Sequence, residues 1–551
     1  MTDLVFDDVS ITYRTSGRRV GDETARSEVH AVRHVSLTLP SGHTLGVAGE
    51  SGSGKSTLIS SALRLLPSNA TLTGSVRLGD TDISELSWGR LRAVRWAKAS
   101  IIFQGAMHSL NPVKTVGWQI EEALKLHACH SWNTGQERQD RVAELLNLVD
   151  LPTAKAYPHE LSGGQRQRVM IAMALACDPE VIIADEPTTS LDVIVQKQIL
   201  DMIAELVTEL GISLFMISHD LSVLGTSCER IAVMKDGEVV EEGPAHQICT
   251  APEHPYTQRL AEAFPTIGEE SSRYRPTSRR QPREAFRPTS DPAQGEELLC
   301  ARGVSVTRHS GRRTVRAVRN VDLTIHRGEI LALVGQSGSG KTTLARALLG
   351  LQLMDDGSEV TFEGKPLPTR GKELRDFRHR AQLVMQDPAA VLNPKLTVYE
   401  SVAEGLRVQK YRGDESARVA QALRDVELTP PEQFFGDVPQ ELSGGQRQRV
   451  VIAGALALDP ELIVADEPVA SLDSSVRGEI LSLLQSLRDR LGVSALVITH
   501  DLGLAWNIAD TVAVMHRGRV VEYGATEKVL LDPSDDYTRT LLAAVPSLAS
   551  A

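Results

Sequence analysis

Two stretches decide the fold of this chain: GESGSGKS at residues 49–56 and GQSGSGKT at residues 335–342. Each fits the pattern G-x-x-x-x-G-K-[ST], follows a short apolar run and precedes a run with helical spacing, which is the context of a phosphate-binding loop. Glycines let backbone N–H groups turn inward around phosphates, and the following helix points its positive end at them. A Gly/Ser-rich turn is the alternative for one copy, but two copies in register argue against it.

The two loops supply the first candidate binding residues. Lys55 and Lys341 would reach the β- and γ-phosphates, and the hydroxyls of Ser56 and Thr342 would bind Mg²⁺. The candidate nucleotide-binding residues are Gly49, Glu50, Ser51, Gly52, Ser53, Gly54, Lys55, Ser56 and Thr57 in the first loop, and Gly335, Gln336, Ser337, Gly338, Ser339, Gly340, Lys341, Thr342 and Thr343 in the second.

The loops belong to a longer internal repeat. ELSGGQRQRV at 160–169 recurs identically at 441–450, and ADEP at 184–187 recurs at 465–468. The order of the motifs is the same in both halves, so the sequence predicts a tandem duplication of a unit of about 250 residues. The predicted domains are 1–265 and 297–551.

Residues 266–296 separate the copies and contain four prolines, six arginines and almost no aliphatic residues. Such a segment buries too little apolar surface to offset the entropy of ordering, so we predict a flexible linker. The linker would keep the two copies at a high effective concentration. Binding of its arginines to anionic lipid or to a partner is the alternative.

Strand and helix signals alternate within each copy, which predicts an α/β fold. EVIIADEP and SLFMISHD are short apolar runs typical of central strands in a covered sheet. Polar stretches with helical spacing follow each phosphate loop. We predict helical inserts at about 86–170 and about 370–452.

Composition excludes some classes of protein. Of the 551 residues, 41% are hydrophobic and 24% are charged, and the formal net charge is −12, which disfavours a surface that coats nucleic acid. No stretch reaches the roughly 18–20 apolar residues of a membrane span, and the amino terminus lacks a secretory signal pattern. The five cysteines are scattered, which fits a reducing cytoplasm rather than a disulfide framework.

A pair of carboxylates ends an apolar run in each copy: Asp185–Glu186 and Asp466–Glu467. Carboxylates at the carboxyl end of a strand face the crevice where ligands bind in such sheets. The aspartate would hold Mg²⁺, and the glutamate would polarise the water that attacks the γ-phosphorus. An acidic helix cap before proline would explain one copy, but recurrence after two phosphate loops argues against it.

Two further polar residues recur in each copy. His219 and His500 each follow the next apolar run, 33 residues after the glutamate, and could contact the γ-phosphate. A structural or solvated histidine is the alternative. Gln104 and Gln386 open loops after short apolar strands. Their amide oxygens could bind Mg²⁺ and withdraw when the nucleotide changes.

The sequence LSGGQ opens an arginine-rich helix in each copy. Its hydroxyl, bare backbone amides and helix amino end form a second anion-binding surface. Because each copy already has a phosphate loop, this surface makes sense if it serves the nucleotide of the other copy. The candidate residues are Ser162, Gly163, Gly164 and Gln165, and Ser443, Gly444, Gly445 and Gln446.

With these motifs the chain resembles an ATP-binding cassette (ABC) ATPase with two fused cassettes. The resemblance implies two tandem P-loop cassettes, each a RecA-like α/β core with an antiparallel β subdomain and a helical subdomain. It also implies ATP and Mg²⁺, and head-to-tail closure in which the Lys55 loop meets Ser443–Gln446 and the Lys341 loop meets Ser162–Gln165. The D-loops of the family would be Ser190-Leu191-Asp192 and Ser471-Leu472-Asp473.

One asymmetry is visible against the family pattern. The family usually stacks an aromatic side chain near the amino-terminal strand on adenine. Alignment of VSITYRTSGRR with VSVTRHSGRR places Tyr13 at this position in the first copy and Arg308 in the second. The planar guanidinium of Arg308 could take the same role, but the departure leaves this open.

Two further motifs resemble the peptide, nickel and opine importers of this family. Both glutamine loops end in Leu-Asn-Pro, and a tail at about 240–265 contains His254-Pro255-Tyr256-Thr257. The second copy departs from this motif with Asp535-Asp536-Tyr537-Thr538. Because no cluster-type cysteine spacing exists, we expect no iron–sulfur cluster, and we interpret His127-Ala-Cys129-His130 as solvated surface rather than metal ligands.

The resemblance implies the energy-coupling ATPase of an importer of di- or oligopeptides, peripheral on the cytoplasmic face of the inner or plasma membrane. Its partners would be two transmembrane permeases and an extracytoplasmic solute-binding protein, and no nucleic acid. Nickel, an opine-like metallophore and glutathione are alternative cargoes. A translation or ribosome-associated tandem cassette is the alternative class, but its members carry a long charged helical linker that residues 266–296 do not resemble.

Overall fold

The computed structural model of the chain describes most of the sequence. The described residues are 2–15, 19–20, 23–24, 27–105, 109–127, 132–151, 153–189, 191–262, 267–269, 273, 295–310, 313–470, 472 and 474–546. The chain divides into two units. The first comprises Met1–Leu191, Val195–Phe264 and Pro546–Ala551, and the second comprises Asp192–Ile194 and Pro265–Val545.

The strands of the first unit form two larger sheets and one short pair. They are β1 Leu4–Thr15, β2 Arg19–Val20, β3 Glu23–Thr24, β4 Ser27–Leu39, β5 Thr44–Ala48, β6 Ala70–Leu78, β7 Thr81–Asp82, β8 Ala99–Ile102, β9 Val181–Asp185, β10 Ser213–Ile217, β11 Arg230–Lys235 and β12 Glu238–Pro244. An antiparallel sheet has the order β4-β1-β6-β7, and a six-stranded sheet has the order β12-β11-β5-β10-β9-β8. Only β12 runs antiparallel in the larger sheet.

Helices cover the larger sheet of the first unit. They are α1 Lys55–Ala62, α2 Trp88–Val94, α3 Val116–His127, α4 Gly135–Leu148, α5 Gly163–Leu175, α6 Val193–Leu210, α7 Leu221–Ser227, α8 Ala245–Thr250 and α9 Pro255–Glu262. Every residue of β9 and β10 is buried, as expected for parallel strands that are covered on both faces.

The second unit repeats this topology. Its strands are β13 Glu297–Ser310, β14 Arg313–His326, β15 Ile330–Val334, β16 Glu359–Phe362, β17 Lys365–Pro366, β18 Ala381–Val384, β19 Leu462–Asp466, β20 Ser494–Thr499, β21 Thr511–His516 and β22 Arg519–Ala525. The sheet orders are β14-β13-β16-β17 and β18-β19-β20-β15-β21-β22. Its helices are α10 Lys341–Leu348, α11 Gly371–Arg380, α12 Pro388–Val391, α13 Val398–Val408, α14 Glu415–Asp425, α15 Gly444–Leu456, α16 Ser474–Leu491, α17 Leu502–Ile508, α18 Thr526–Leu531 and α19 Asp536–Ala543.

Two hydrophobic cores lie in the first unit, on opposite faces of the larger sheet. One core joins the antiparallel sheet to the larger sheet and includes Phe6, Leu58 and Phe215. The other packs the helices against the opposite face and includes Ile120 and Leu145. Because both faces are covered, the site-bearing ends of the strands are held by a packed scaffold.

The predicted helical inserts begin too early in both copies. Ala99–Ile102 and Ala381–Val384 lie inside the ranges predicted as inserts, yet each is the edge strand of the six-stranded sheet. The short apolar runs pair in parallel with Val181–Asp185 and Leu462–Asp466. The helices that pack on the face opposite the antiparallel sheet therefore start after the edge strand, with Val116 in the first unit.

The start of the predicted linker contacts the second unit. Trp506 donates from its indole Nε1 to the carbonyl oxygen of Glu269 at 3.3 Å, and the guanidinium of Arg273 lies 4.6 Å from the Trp506 ring. Arg273 also forms a 2.8 Å ion pair with Glu527. A flexible linker does not describe residues 267–269 and 273; residues 266, 270–272 and 274–294 lie outside the described residues.

Candidate functional site

The phosphate loops contain glycines whose backbone conformations or close contacts other residues would not tolerate. Gly49 and Gly54 have φ of 148° and 99°, and a Cβ on either would collide with a backbone carbonyl oxygen, of Met234 or Ala31 respectively. Gly52 has φ of 81° with nothing near its Cβ position, so the crest of the loop is open. The second loop repeats each feature at Gly335, Gly338 and Gly340. The concave backbone leaves space that phosphate oxygens would fill.

A buried lysine lies in each loop. Lys55 donates from Nζ to the carbonyl oxygens of Gly49 and Glu50, both at 2.7 Å, and is only 6% exposed. Lys341 donates to Gly335 at 2.6 Å and to Gln336 at 2.9 Å. Burial lowers the pKa of Lys341 from its usual value. Each ammonium group therefore stabilises its own loop and is placed to attract an anion.

A hydroxyl and a carboxylate lie side by side at the start of each loop helix. Ser56 Oγ is 3.3 Å from Asp185 Oδ1, and Thr342 Oγ1 is 3.2 Å from Asp466 Oδ1. Burial, together with the negative charge of Glu186, raises the pKa of Asp185 to about 6. Burial also raises the pKa of Asp466. These hard oxygen donors fit the ligand preference of Mg²⁺, which would offset the cost of burying the carboxylate.

The glutamate after each aspartate has a left-handed backbone. Glu186 and Glu467 have φ of 46° and 47°, and their N–H groups donate to the carbonyl oxygens of Ile217 and Ile498 at 3.0 and 2.9 Å. A non-glycine residue in this region costs on the order of 1–3 kcal/mol and tends to occur at functional sites. The turn ties each glutamate to the end of the neighbouring strand.

Each glutamate carboxylate is held by polar neighbours. Gln104 donates from Nε2 to Glu186 Oε2 at 2.7 Å, and His219 Nδ1 lies 3.3 Å from Glu186 Oε1. Gln386 and His500 repeat these contacts with Glu467 at 2.8 and 3.3 Å. The structure thus brings the predicted glutamine, glutamate and histidine together in both copies.

The first glutamate has one partner that the second lacks. Thr189 donates from Oγ1 to Glu186 Oε2 at 2.8 Å, whereas the corresponding residue of the second copy is Ala470. Burial raises the pKa of Glu186, but His219, Thr189 and Lys55 outweigh burial and hold this pKa at about 2. The pKa of Glu467 is also lowered, by His500 and Lys341 against burial. Sequence reasoning missed Thr189, although its replacement by alanine in the repeat was a visible signal.

The LSGGQ residues form helix caps. Ser162 Oγ accepts from the N–H of Gln165 at 3.3 Å, and Gln165 Oε1 accepts from the N–H of Ser162 at 2.9 Å. Ser443 and Gln446 form the same capping box. Gly164 and Gly445 have no room for a Cβ because Val195 and Val476 pack against them. Gly163 and Gly444 begin the two helices.

The adenine-stacking candidates differ in surroundings. Tyr13 lies on β1, with its hydroxyl 3.3 Å from Oγ1 of Thr57 at the start of α1. Arg308 lies on β13 opposite Val315, and its side chain is exposed. Ser190, Ser471 and Asp473 of the predicted D-loops, and Cys129 and His130, lie outside the described residues.

Comparison with known proteins defines the class. The family profile described as ABC transporter matches residues 32–189 and 318–470, more than half of the chain. The chain belongs to the ABC transporter family as a fused pair of ATP-binding cassettes that hydrolyse ATP in transport. A second profile, the C-terminal region of oligopeptide/dipeptide transporters, matches 240–290 and 521–551. The resemblance inferred from the motifs, including the peptide/nickel importer subfamily, is confirmed.

Two similar proteins have names that describe import. The chain is 43% identical to the glutathione import ATP-binding protein GsiA of Salmonella typhimurium over 96% of this chain and 89% of that protein. It is 42% identical to GsiA of Escherichia coli K12, over 95% of this chain and 87% of that protein. A solved post-hydrolysis dimer of an ATP-binding cassette with ADP and Pi matches 42% of this chain and 99% of its own, at 32% identity and a TM-score of 0.38.

The described residues contain no helix long and apolar enough to cross a membrane. An ATP-binding chain of an ABC importer works with membrane permeases, and the similarity of this chain to import proteins implies such partners. The profile match at 521–551 also shows that the second copy retains the importer tail, although it has Asp535-Asp536 where the first copy has His254-Pro255.

Proposed function

We propose that this chain is the motor of an importer for small peptides, with glutathione as the first candidate cargo. The observation that carries the proposal is the identity of 43% to a glutathione import ATP-binding protein across 96% of the chain. The oligopeptide/dipeptide C-terminal region at both tails supports the same substrate class. Glutathione is itself a tripeptide, so the relatives and the tail profile favour one kind of cargo.

The two copies would each bind one ATP. Lys55 and Lys341, held by the carbonyl oxygens of their loops, would reach the β- and γ-phosphates. Ser56 with Asp185, and Thr342 with Asp466, would hold Mg²⁺. Gln104 and Gln386 would add an amide oxygen to this set. When bound, magnesium neutralises charge on the phosphates. The fit rests on the adjacent hydroxyl and carboxylate oxygens in each copy.

Glu186 and Glu467 would orient the water that attacks the γ-phosphorus. Their lowered pKa keeps them ionised at neutral pH, so they are ready to accept a hydrogen bond from water. His219 and His500 would hold these carboxylates in place and contact the γ-phosphate. The left-handed turn of each glutamate and its backbone hydrogen bond to the neighbouring strand support this role, because they would fix the position of the carboxylate.

Head-to-tail closure would complete both sites. The Lys55 loop would meet Ser443, Gly444, Gly445 and Gln446, and the Lys341 loop would meet the corresponding Ser162–Gln165. Each signature helix begins with backbone N–H groups and a capping hydroxyl, which is a suitable surface for a γ-phosphate. Closure and reopening would move two transmembrane permeases, with the chain peripheral on the cytoplasmic face of the membrane. An extracytoplasmic binding protein would deliver the cargo.

The test is transport in cells. The chain is co-expressed with candidate importer permeases, and uptake of labelled glutathione, a dipeptide and Ni²⁺ is compared in cells lacking their own importers. We expect co-purification with the permeases and uptake of glutathione or the dipeptide that stops when ATP turnover is blocked. If only Ni²⁺ were taken up, the proposed peptide cargo would be wrong and Ni²⁺ would take its place. Co-sedimentation with ribosomes without the permeases would overturn the proposal.

A further inference from the structure

A tyrosine of each carboxyl-terminal tail reaches the phosphate loop of its own unit. The hydroxyl of Tyr256 accepts a hydrogen bond from the backbone N–H of Glu50 at 3.0 Å, and that of Tyr537 accepts from the N–H of Gln336 at 3.2 Å. Glu50 and Gln336 each directly follow the first glycine of the loop. The tyrosines lie 206 and 201 residues further along the chain.

Hydrogen bonds within the tail fix the position of the tyrosine. In the first unit, His254 Nδ1 accepts from the N–H of Tyr256 at 3.2 Å, and in the second Asp535 Oδ1 accepts from the N–H of Tyr537 at 2.8 Å. Either side chain caps the short helix that carries the tyrosine. This shared role explains in physical terms how the second tail keeps the tyrosine in place without the histidine and proline.

A partly buried glutamate fixes the same turn to the sheet in each unit. The Glu241 carboxylate accepts from the N–H groups of Glu253 and His254 at 2.8 and 3.1 Å. In the second unit, Glu522 accepts from the N–H groups of Ser534 and Asp535 at 2.7 and 3.3 Å. Thr257 and Thr538, next to the tyrosines, are fully buried. The start of each tail helix is therefore held against strand β12 or β22.

The tyrosine rings pack beside the strand that borders the loop. Tyr256 is 4% exposed, with Nζ of Lys235 5.4 Å from its ring, and the ring of Tyr537 stacks on His516 at 3.8 Å. Lys235 and His516 directly follow Met234 and Met515, the residues whose carbonyl oxygens exclude a Cβ from the first glycine of the loop. One wall of the loop is thus made by the strand end and the tyrosine together.

The decisive feature is that one peptide group serves both the tyrosine and the lysine. The peptide between Gly49 and Glu50 accepts from Lys55 Nζ through its carbonyl oxygen and donates to Tyr256 through its N–H. The peptide between Gly335 and Gln336 does the same with Lys341 and Tyr537. If the hydroxyl were absent, this peptide could rotate, and the carbonyl that holds the ammonium would leave its position.

We propose that Tyr256 and Tyr537 are positioning residues for ATP binding: their hydroxyls orient the first peptide of the phosphate loop and, through it, the loop lysine. The inference rests on the proposed roles of Lys55 and Lys341. It gives the carboxyl-terminal tail a function in nucleotide affinity, in addition to its value as a mark of the importer subfamily. A purely structural tail would instead contribute to the stability of its unit alone.

The test removes the hydroxyl and keeps the ring. In the purified full-length chain, nucleotide affinity at each loop is measured by photolabelling with an azido analogue of ATP, followed by peptide mapping. Tyr256→Phe is expected to weaken labelling at the Lys55 loop by about 5- to 20-fold and to leave the Lys341 loop unchanged. Tyr537→Phe is expected to do the reverse. In both variants KM for ATP should rise far more than kcat falls.

A matched control deletes a tyrosine hydrogen bond elsewhere. The hydroxyl of Tyr523 donates to the carbonyl oxygen of Thr324 at 3.0 Å, away from the loop, so Tyr523→Phe should leave labelling at both loops unchanged. Unchanged affinity in Tyr256→Phe, or equal loss at both loops with a lowered unfolding temperature, would overturn the positioning role. Absence of labelling at either loop of the unmodified chain would instead contradict the proposed ATP sites, and failure of peptide uptake would leave this inference intact.

Discussion

Gln104 Nε2 lies 2.7 Å from Glu186 Oε2, which joins the loop after the edge strand to the carboxylate at the end of the adjacent strand. Gln386 and Glu467 repeat the contact at 2.8 Å. If Glu186 orients the attacking water as proposed, the glutamine in this arrangement occupies an oxygen that the water would need. A shift of the loop toward a bound nucleotide would then free the carboxylate and would couple the position of the loop to readiness for hydrolysis.

The role of the carboxylates predicts the effect of removing their charge. Glu186→Gln combined with Glu467→Gln should leave ATP binding intact and lower turnover at least about 100-fold, because the group that orients water is lost. The measurement is steady-state ATP hydrolysis beside equilibrium binding of ATP.

The control for this double variant removes two carboxylate charges at exposed positions outside the candidate site. Glu205 and Glu209 are exposed on α6, so Glu205→Gln with Glu209→Gln should leave turnover near that of the unmodified chain. Turnover within a few-fold of normal in the Glu186/Glu467 variant would contradict the assigned role.

The threonine beside the first glutamate predicts a difference between the copies. Thr189→Ala removes a hydrogen bond to the ionised Glu186 carboxylate and should lower the free energy of unfolding of the first unit by about 1.5–3 kcal/mol near pH 7. The pKa of Glu186 is depressed to about 2, so its contribution is present above its ordinary pKa and is lost as pH falls towards 2. Glu186 is still ionised in the folded state at pH 4, so the deficit of Thr189→Ala should persist from about pH 7 to about pH 4 and shrink only as the pH of urea unfolding is lowered from about 4 towards 2.

The repeat supplies the matched variant. Ala470→Thr places a hydroxyl at the corresponding position near Glu467, and we expect it to stabilise the second unit or leave it unchanged. A deficit in Thr189→Ala that is as large near pH 2 as at pH 4 would show that the lost stability does not involve the charge of Glu186.

The α/β fold class, the tandem repeat and the candidate site residues could be proposed from the sequence because their signals are local. A glycine loop followed by helical spacing, and an apolar run that ends in Asp-Glu, each need only a few adjacent residues. The contacts of the tail tyrosines were not accessible, because Tyr256 and its partner Glu50 are 206 residues apart and no periodicity links them. The short apolar strand before Gln104 was visible, but its four residues could not show that Ala99–Ile102 pairs at the edge of the larger sheet and so lies outside the helical insert.

The close contacts of the phosphate-loop glycines predict that one added methyl group will markedly lower the free energy of unfolding. Gly49→Ala should lower the stability of the first unit by about 2–4 kcal/mol, because its Cβ would collide with the backbone oxygen of Met234 and neither can yield cheaply. Gly42→Ala is the control: its φ of 76° is also left-handed, but nothing lies near the added Cβ. It should cost only about 1 kcal/mol. Equal losses in urea unfolding would show that strain in φ, rather than the close approach, sets the cost.

The difference between Tyr13 and Arg308 predicts that the two copies bind the adenine base with unequal affinity. If Tyr13 stacks on adenine, Tyr13→Ala should weaken ATP binding at the Lys55 loop by about 5- to 100-fold, while Tyr13→Phe, which loses only the contact with Thr57, should change it little. Arg308→Tyr should strengthen binding at the Lys341 loop. Site-resolved photolabelling with ATP competition measures both. Loss of affinity in Tyr13→Phe as large as in Tyr13→Ala would assign the effect to the hydroxyl instead of the ring.

Head-to-tail closure predicts that a signature variant damages the site of the other copy. Ser443→Arg places a bulky cation where the γ-phosphate of the nucleotide in the Lys55 loop would lie, so vanadate trapping should be lost at the Lys55 loop and retained at the Lys341 loop. Ser162→Arg should show the opposite pattern. Ser443 also caps its helix, and losing this cap costs about 1 kcal/mol, so Ser443→Ala serves as the control for the cap alone. Trapping lost at the Lys341 loop in Ser443→Arg would mean that each signature serves its own copy, and the proposed pairing would be wrong.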